Sequence, residues 1–322
     1  YRDTEIRVSN TEDLYTTINA RLTNNKTNSN LINFNVTAYG NGLEITDDIM
    51  TLIRNYEAGK TKVDVVLTFK SSDTPIILKA ADCMDEFIYN GVDVVLEADQ
   101  TIDDINVEGI NDLTNYKNLT IKKGNVELYG KLEKFTSEDA TTIKLMKDID
   151  LTSEWEIKEG MNVTLDLNGK ILAVNNATNH GIDNEGTLTI NGNDGKITWV
   201  ATDSDFCIVN RAGATMNIDA CEVAGPVYNV GNMTVENESK LTTNAANRAA
   251  LICGEDTNDI AWTFTMTGGS IVSETHSAAV LKNNYYGLEP QGLGKFDGVT
   301  FTGTTYYDIV LCAVNVEVSN CT

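Results

Sequence analysis

Three observations predict a mostly β, stacked-repeat fold for this chain of 322 residues. Short apolar strands alternate with Thr and Asn and are broken by turns rich in Asn and Gly, as in "GIDNEGTLTINGNDGKI" (181–197). The pattern returns at a mean step of about 26 residues over the C-terminal half, within the range of solenoid repeats. No copy is large enough to bury its own apolar face, so the copies must cover one another.

Taken in chain order, residues 1–139 read as an α/β cap or solenoid section. "SNTEDLYTTINARL" carries a capping box, Ser9 with Glu12, and places Leu14, Ile18 and Leu22 on one helical face. "TDDIMTLIRNYEAG" predicts a second helix capped by Thr46 or Asp47, with Ile49, Leu52, Ile53 and Tyr56 inward and Gly59 as its stop. A shorter helix is expected at 80–89, with Cys83, Met84, Phe87 and Ile88 inward. The word "VDVVL" follows at 63–67 and again at 92–96, and "NLTIK" (118–122) comes next, which predicts helix-plus-strand units feeding one stack. Such a section would cover a raw sheet edge of the repeat section.

Residues 140–322 read as the solenoid itself. Corner residues Asn184, Asn210, Asn229, Cys253, Lys282 and Cys312 are separated by 26, 19, 24, 29 and 30 residues. Before each corner stands an inward residue: Ile182, Ile208, Val227, Leu251, Val280 and Val310. After it come alternating pairs such as Leu188/Ile190, Met216/Ile218, Met233/Val235, Phe264/Met266, Val299/Phe301 and Val316/Val318. Parallel neighbours about 4.8 Å apart then satisfy one another's backbone groups. Asn184, Asn210 and Asn229 are expected to hydrogen-bond along the axis as a corner ladder. The competitor is an antiparallel sandwich, for which "NG" at 168–169 and 191–192 supplies hairpin turns.

The opening "TIKLMKDIDL…WEIKEGMNVTLDLNGK", followed by "GIDNEGTLTINGNDGKI", resembles the right-handed parallel β-helix proteins of the pectin-lyase-like superfamily. It is most similar to their non-enzymatic bacterial surface and bacteriophage appendage members. The resemblance covers about 140–322 and implies a virion or cell-surface location, with other virion or surface proteins and cell-surface glycans as partners. Tailspike-like relatives imply a homotrimer, surface solenoids a monomer. Enzymes on the same fold, polysaccharide lyases and hydrolases, imply an alternative carbohydrate-active role, and a glycan-binding module without turnover is a third.

Composition narrows these classes. Hydrophobic residues make up 41%, enough for a core, and no apolar run approaches the length of a membrane span. A net charge of −23 repels phosphate backbones and anionic lipid, which argues against nucleic acid and membrane insertion. The first residue, Tyr1, and the ending "NVEVSNCT" are what a piece of a longer chain would show. Six cysteines without CxxC pairs are expected as buried free thiols, consistent with assembly in a reducing compartment.

Catalytic sets are sparse. His180 and His276 lie far apart in sequence, and neither P-loop, GxGxxG nor HExxH is present. Arg211 is placed near Asp183 one rung earlier, as a structural pair at an exposed corner, so no catalytic residue is assigned. "DID" (148–150) and "DSD" (203–205) offer oxygens to Ca²⁺ but fall short of the six to eight a site needs, so neither a metal site nor a cofactor is assigned. Eight N-x-S/T triplets, among them those at Asn35, Asn162 and Asn176, are what an Asn- and Thr-rich chain shows by chance. For glycan or partner contact the candidates are Tyr285, Tyr286, Tyr306 and Tyr307, in the interruptions "NNYYGLEPQ" and "TTYYD".

Overall fold

The structure is a computed structural model that describes residues 2–25, 31–40, 42–60, 63–84, 86–102, 119–122, 124–129, 132, 135–137, 140–175, 180–200, 206–255, 261–283, 292–304 and 307–322. The chain divides into two compact units, one of residues 1–128 with 134–141 and one of 129–133 with 142–322.

In the first unit, a four-stranded sheet runs Arg2–Val8, Leu31–Ala38, Asp64–Ser72 and Ile88–Tyr89, every pair parallel. A second parallel sheet stacks Leu43–Ile45, Ile76–Leu78, Val94–Leu96, Leu119–Ile121 and Phe135–Ser137. The two "VDVVL" words therefore serve different sheets, one in each, rather than one stack. Helix α1 (Thr11–Asn24) buries Leu14, Ile18 and Leu22 as the spacing predicts. Its cap is one residue later than expected: the Asn10 side chain accepts the Asp13 amide, and the Asp13 carboxylate accepts the Ser9 amide at 3.0 Å. Helix α2 (Asp47–Glu57) begins after Thr46 and buries Ile49, Met50 and Ile53, with Met50 rather than Leu52 in the core. The expected helix at 80–89 does not form. Gln100 is buried there, and its Oε1 accepts the Cys83 and Met84 amides at 2.9 and 3.0 Å. A side chain thus takes the donors a helix would have used.

The second unit is a parallel β-helix. Among the described residues seven successive rungs each contribute a strand to three parallel sheets. A typical rung comprises Thr187–Asn191 in the first sheet, Lys196–Trp199 in the second and Ile208–Asn210 in the third. Five-residue strands of the first sheet alternate inward apolar and outward Thr or Asn, so Leu188, Met216, Met233 and Phe264 form one column of the core and Ile190, Ile218, Val235 and Met266 the next. Each fully buried side chain of this size contributes about 2 kcal/mol, so the core holds the rungs in register.

The third sheet follows the predicted inward positions through Ile182, Ile208, Val227 and Leu251. It then slips by one residue from the expectation. Ala279 and Ile309 continue the column, while Val280 and Val310 face outward. The corner position likewise passes from Cys253 to Leu281 and Leu311, not Lys282 and Cys312. In the first sheet, Gly292–Asp297 occupies the place expected of Val299/Phe301, with Gly294 and Phe296 inward. A Cβ at Gly294 would stand 2.5 Å from Leu281 Cδ2, so a larger residue there would make that side chain shift.

Candidate functional site

Chemistry-bearing side chains gather on two outer surfaces of the β-helix. On the second sheet, Thr198, Ala224, Thr242 and Val272 stand side by side in register and make a flat floor. Beside them Lys196, Glu222 and Lys240 form a charged row, with Lys196 and Glu222 paired at 2.7 Å. The small floor residues leave a furrow of two adjoining cavities, about 570 and 550 Å³, which share those three charged residues. Asp194 and Glu238, from the corners entering the sheet, add carboxylates to the first. Trp199 walls the second, its buried indole N–H without a hydrogen-bond partner.

The third sheet carries the other surface. Its outward column reads Glu156, Asp183, Val209, Tyr228 and Ile252. Arg211 grips Asp183 with two hydrogen bonds, Nε at 2.8 Å and an Nη at 2.6 Å, across one rung. The pair is half-open, the Arg211 side chain 40% exposed and Asp183 10%. Burial, then the negative charge of Asp183, pushes the Glu154 carboxyl above its ordinary range. Next to this group Phe206 and Tyr228 stack with centroids 5.0 Å apart, and the Arg248 guanidinium lies 4.3 Å from the Phe206 centroid. The Tyr228 hydroxyl donates to Glu255 at 2.9 Å, and burial together with that bond raises its pKa. His180 packs against Phe206 and accepts the Phe206 amide at Nδ1, 3.2 Å away.

Asn184, Asn210 and Asn229 are fully buried in one column: Asn184 Nδ2 donates to Asn210 Oδ1 at 2.7 Å, and Asn210 Nδ2 to Asn229 Oδ1 at 2.8 Å. Their second N–H groups go to the carbonyls of Thr215, Asn232 and Thr263. Tyr307 is 71% exposed. Tyr285, Tyr286 and Tyr306 lie outside the described residues, as does "DSD". Asp148, just before the strand Ile149–Leu151, accepts from the Ile171 amide at 2.8 Å, and Asp150, at its centre, from the Asn175 side chain at 3.0 Å, so each carboxylate is engaged with a different neighbour. Among the described residues no cluster of three His, Cys, Asp or Glu has the arrangement of a metal site.

Sequence reasoning missed the Phe206–Tyr228–Arg248 stack and the charged row of the second sheet. The outward place of Tyr228 was legible from the alternation in "PVYNV", but Phe206 and Arg248 stand in corners of variable length, where no period places them. No family model, curated protein or solved structure matches this chain.

Proposed function

We propose that this chain is a structural and adhesive module, a stiff β-helical rod of a bacteriophage appendage or a bacterial cell surface, allied to the non-catalytic pectin-lyase-like β-helices and contacting glycans along its side. The observation that carries the reading is the stack itself: seven in-register rungs with a continuous apolar core and a buried Asn ladder. Stacking of this kind makes a spacer whose corners vary without disturbing the strands. Antibodies raised against the chain test it by gold labelling of purified particles and intact cells. Label along an appendage or the envelope is the expected outcome; label confined to the soluble cell contents overturns it.

The furrow favours one second reading, a carbohydrate-active enzyme. It brings Asp194, Glu222 and Glu238 together with Lys196 and Lys240, the residue types that sugar hydrolysis or proton abstraction requires. The close Lys196–Glu222 pair weighs against a free base at that point. Incubation with polysaccharides and assay for reducing ends or unsaturated products separates the two. Product formation abolished by Glu222→Gln would establish turnover.

A further inference from the structure

The outward column of the third sheet departs from the polar habit of the first. In the first sheet the central outward positions are Thr164, Thr189, Asn217, Thr234 and Thr265. In the third sheet, after Asp183, they are Val209, Tyr228, Ile252, Val280 and Val310, apolar or aromatic over five rungs. Val209 is fully covered, and the other four are half-buried. Aromatic residues stand at both ends of this strip. Phe206 precedes Ile208 by two residues, and Tyr307 precedes Ile309 by two, so both occupy the same point of their rungs. Four rungs separate them, about 19 Å at the spacing of parallel strands.

We propose that the outer face of the third sheet binds a neutral, unbranched sugar chain laid parallel to the β-helix axis. The inference rests on the glycan-contact part of the reading above and assigns it a face other than the furrow. A pyranose ring has an apolar C–H face and a hydroxyl rim. Tyr307 offers an exposed stacking surface and Tyr228, one face of which is taken by Phe206, a half-buried one; Ile252 and Val280 make an apolar path between them, with Arg211 and Glu255 as polar groups beside it. Rings of an extended glycan repeat at close to the rung spacing, so successive sugars meet successive rungs. Neutrality follows from charge. Glu154, Asp183, Glu185 and Glu255 border this face against two cations, Arg211, which is already paired with Asp183, and Arg248, and the chain carries −23 overall, so an acidic polymer is repelled.

The test uses the full chain with neutral glucan, mannan and galactan oligosaccharides of increasing length, and uronate oligosaccharides as the acidic arm, followed by saturation-transfer NMR and calorimetry. Neutral chains are expected to bind with affinity that rises until the chain spans the strip. Tyr307→Ala is expected to weaken binding about tenfold, the scale of one lost stacking contact. Its melting temperature should not move, because the side chain is exposed. Lys240→Ala, in the furrow, should leave binding unchanged. Neutral binding insensitive to Tyr307→Ala but lost in Lys240→Ala moves the ligand to the furrow and overturns this assignment while glycan contact stands. Binding of uronates alone does the same. Binding of no sugar at all removes glycan contact altogether, and the rod reading then stands or falls on particle labelling.

Discussion

At the scale of single residues, buried polar atoms carry the sharpest consequences. Asn210 both accepts from Asn184 and donates to Asn229 and to the Asn232 carbonyl. Replacing it by Ala strands an amide donor below and two acceptors above in a fully buried column. Asn210→Ala should therefore lower unfolding free energy by about 3 kcal/mol, read from denaturant midpoints, and a loss under about 0.5 kcal/mol would refute the ladder's role. The thiols supply a second test. Burial pushes up the pKa of Cys83, Cys207, Cys221 and Cys253, Cys83 and Cys221 to about 12, whereas Cys312 and Cys321 are only half-buried. A thiol reagent at pH 8 should label Cys312 and Cys321 in the native protein and all six only after denaturation. Peptide mapping of the label identifies the sites.

Individual strands and corners show where local pattern suffices and where it does not. Strict alternation in "TLTIN" and "TMNID" leaves one register, because a one-residue slip would turn Thr into the core. The stretches "AVLK" and "IVLC" present three apolar residues in a row, so alternation alone permits two registers. The choice is made by their neighbours: Ala279 stacks on Leu251 and Leu281 on Cys253, filling the core. The Asn column was legible because Asn repeats at one corner, whereas the outer aromatic stack was not, since its members come from different corners. A further corner device had no visible period. An acid ending a first-sheet strand accepts from an Asn in the next rung's turn, Asp166 from Asn193, Asp219 from Asn237 and Asp297 from Asn320. Those Asn residues have φ between 47° and 54°, a left-handed conformation that Asn tolerates and most side chains resist. At the last of these corners, Asn320 and Ser319 hold Asp297 below its ordinary pKa. A depressed folded-state value means the bonds stabilise above the unfolded value, about 3.9, and their contribution is lost as pH falls through the folded value. Amide exchange around 315–322 should quicken as pH is lowered through that window, after correction for intrinsic rates, and Asp297→Ala should flatten the change. An unaltered pH response in the variant would remove Asp297 from the account.

For the molecule as a whole, stability is a sum of rungs and of the contacts between adjacent ones. The step from Asn210 to Asn229 is the shortest, 19 residues, and begins and ends at equivalent points. Deleting 211–229 should therefore let 232–236 settle on 187–191, with Met233 and Val235 meeting Leu188 and Ile190 as Met216 and Ile218 do now. The expected product unfolds cooperatively, keeps its β circular dichroism and is one rung shorter by small-angle scattering; a molten or aggregated product would show that the rungs are not interchangeable. The buried amides add a sense of direction to this modular stack. Each points its N–H toward the next rung and also toward a main-chain carbonyl, while the Oδ1 atoms of Asn184 and Asn229 accept the Gly186 and Gly231 amides, so turning over any amide would set like groups face to face and the backbone fixes the direction of the row. It closes at Cys253, whose sulfur lies 3.8 Å from Asn229 Nδ2 and makes no polar demand on Leu281 in the following rung. A thiol at that place works as a full stop: it lets a polar sentence written inside the protein end against hydrocarbon without leaving a donor unanswered.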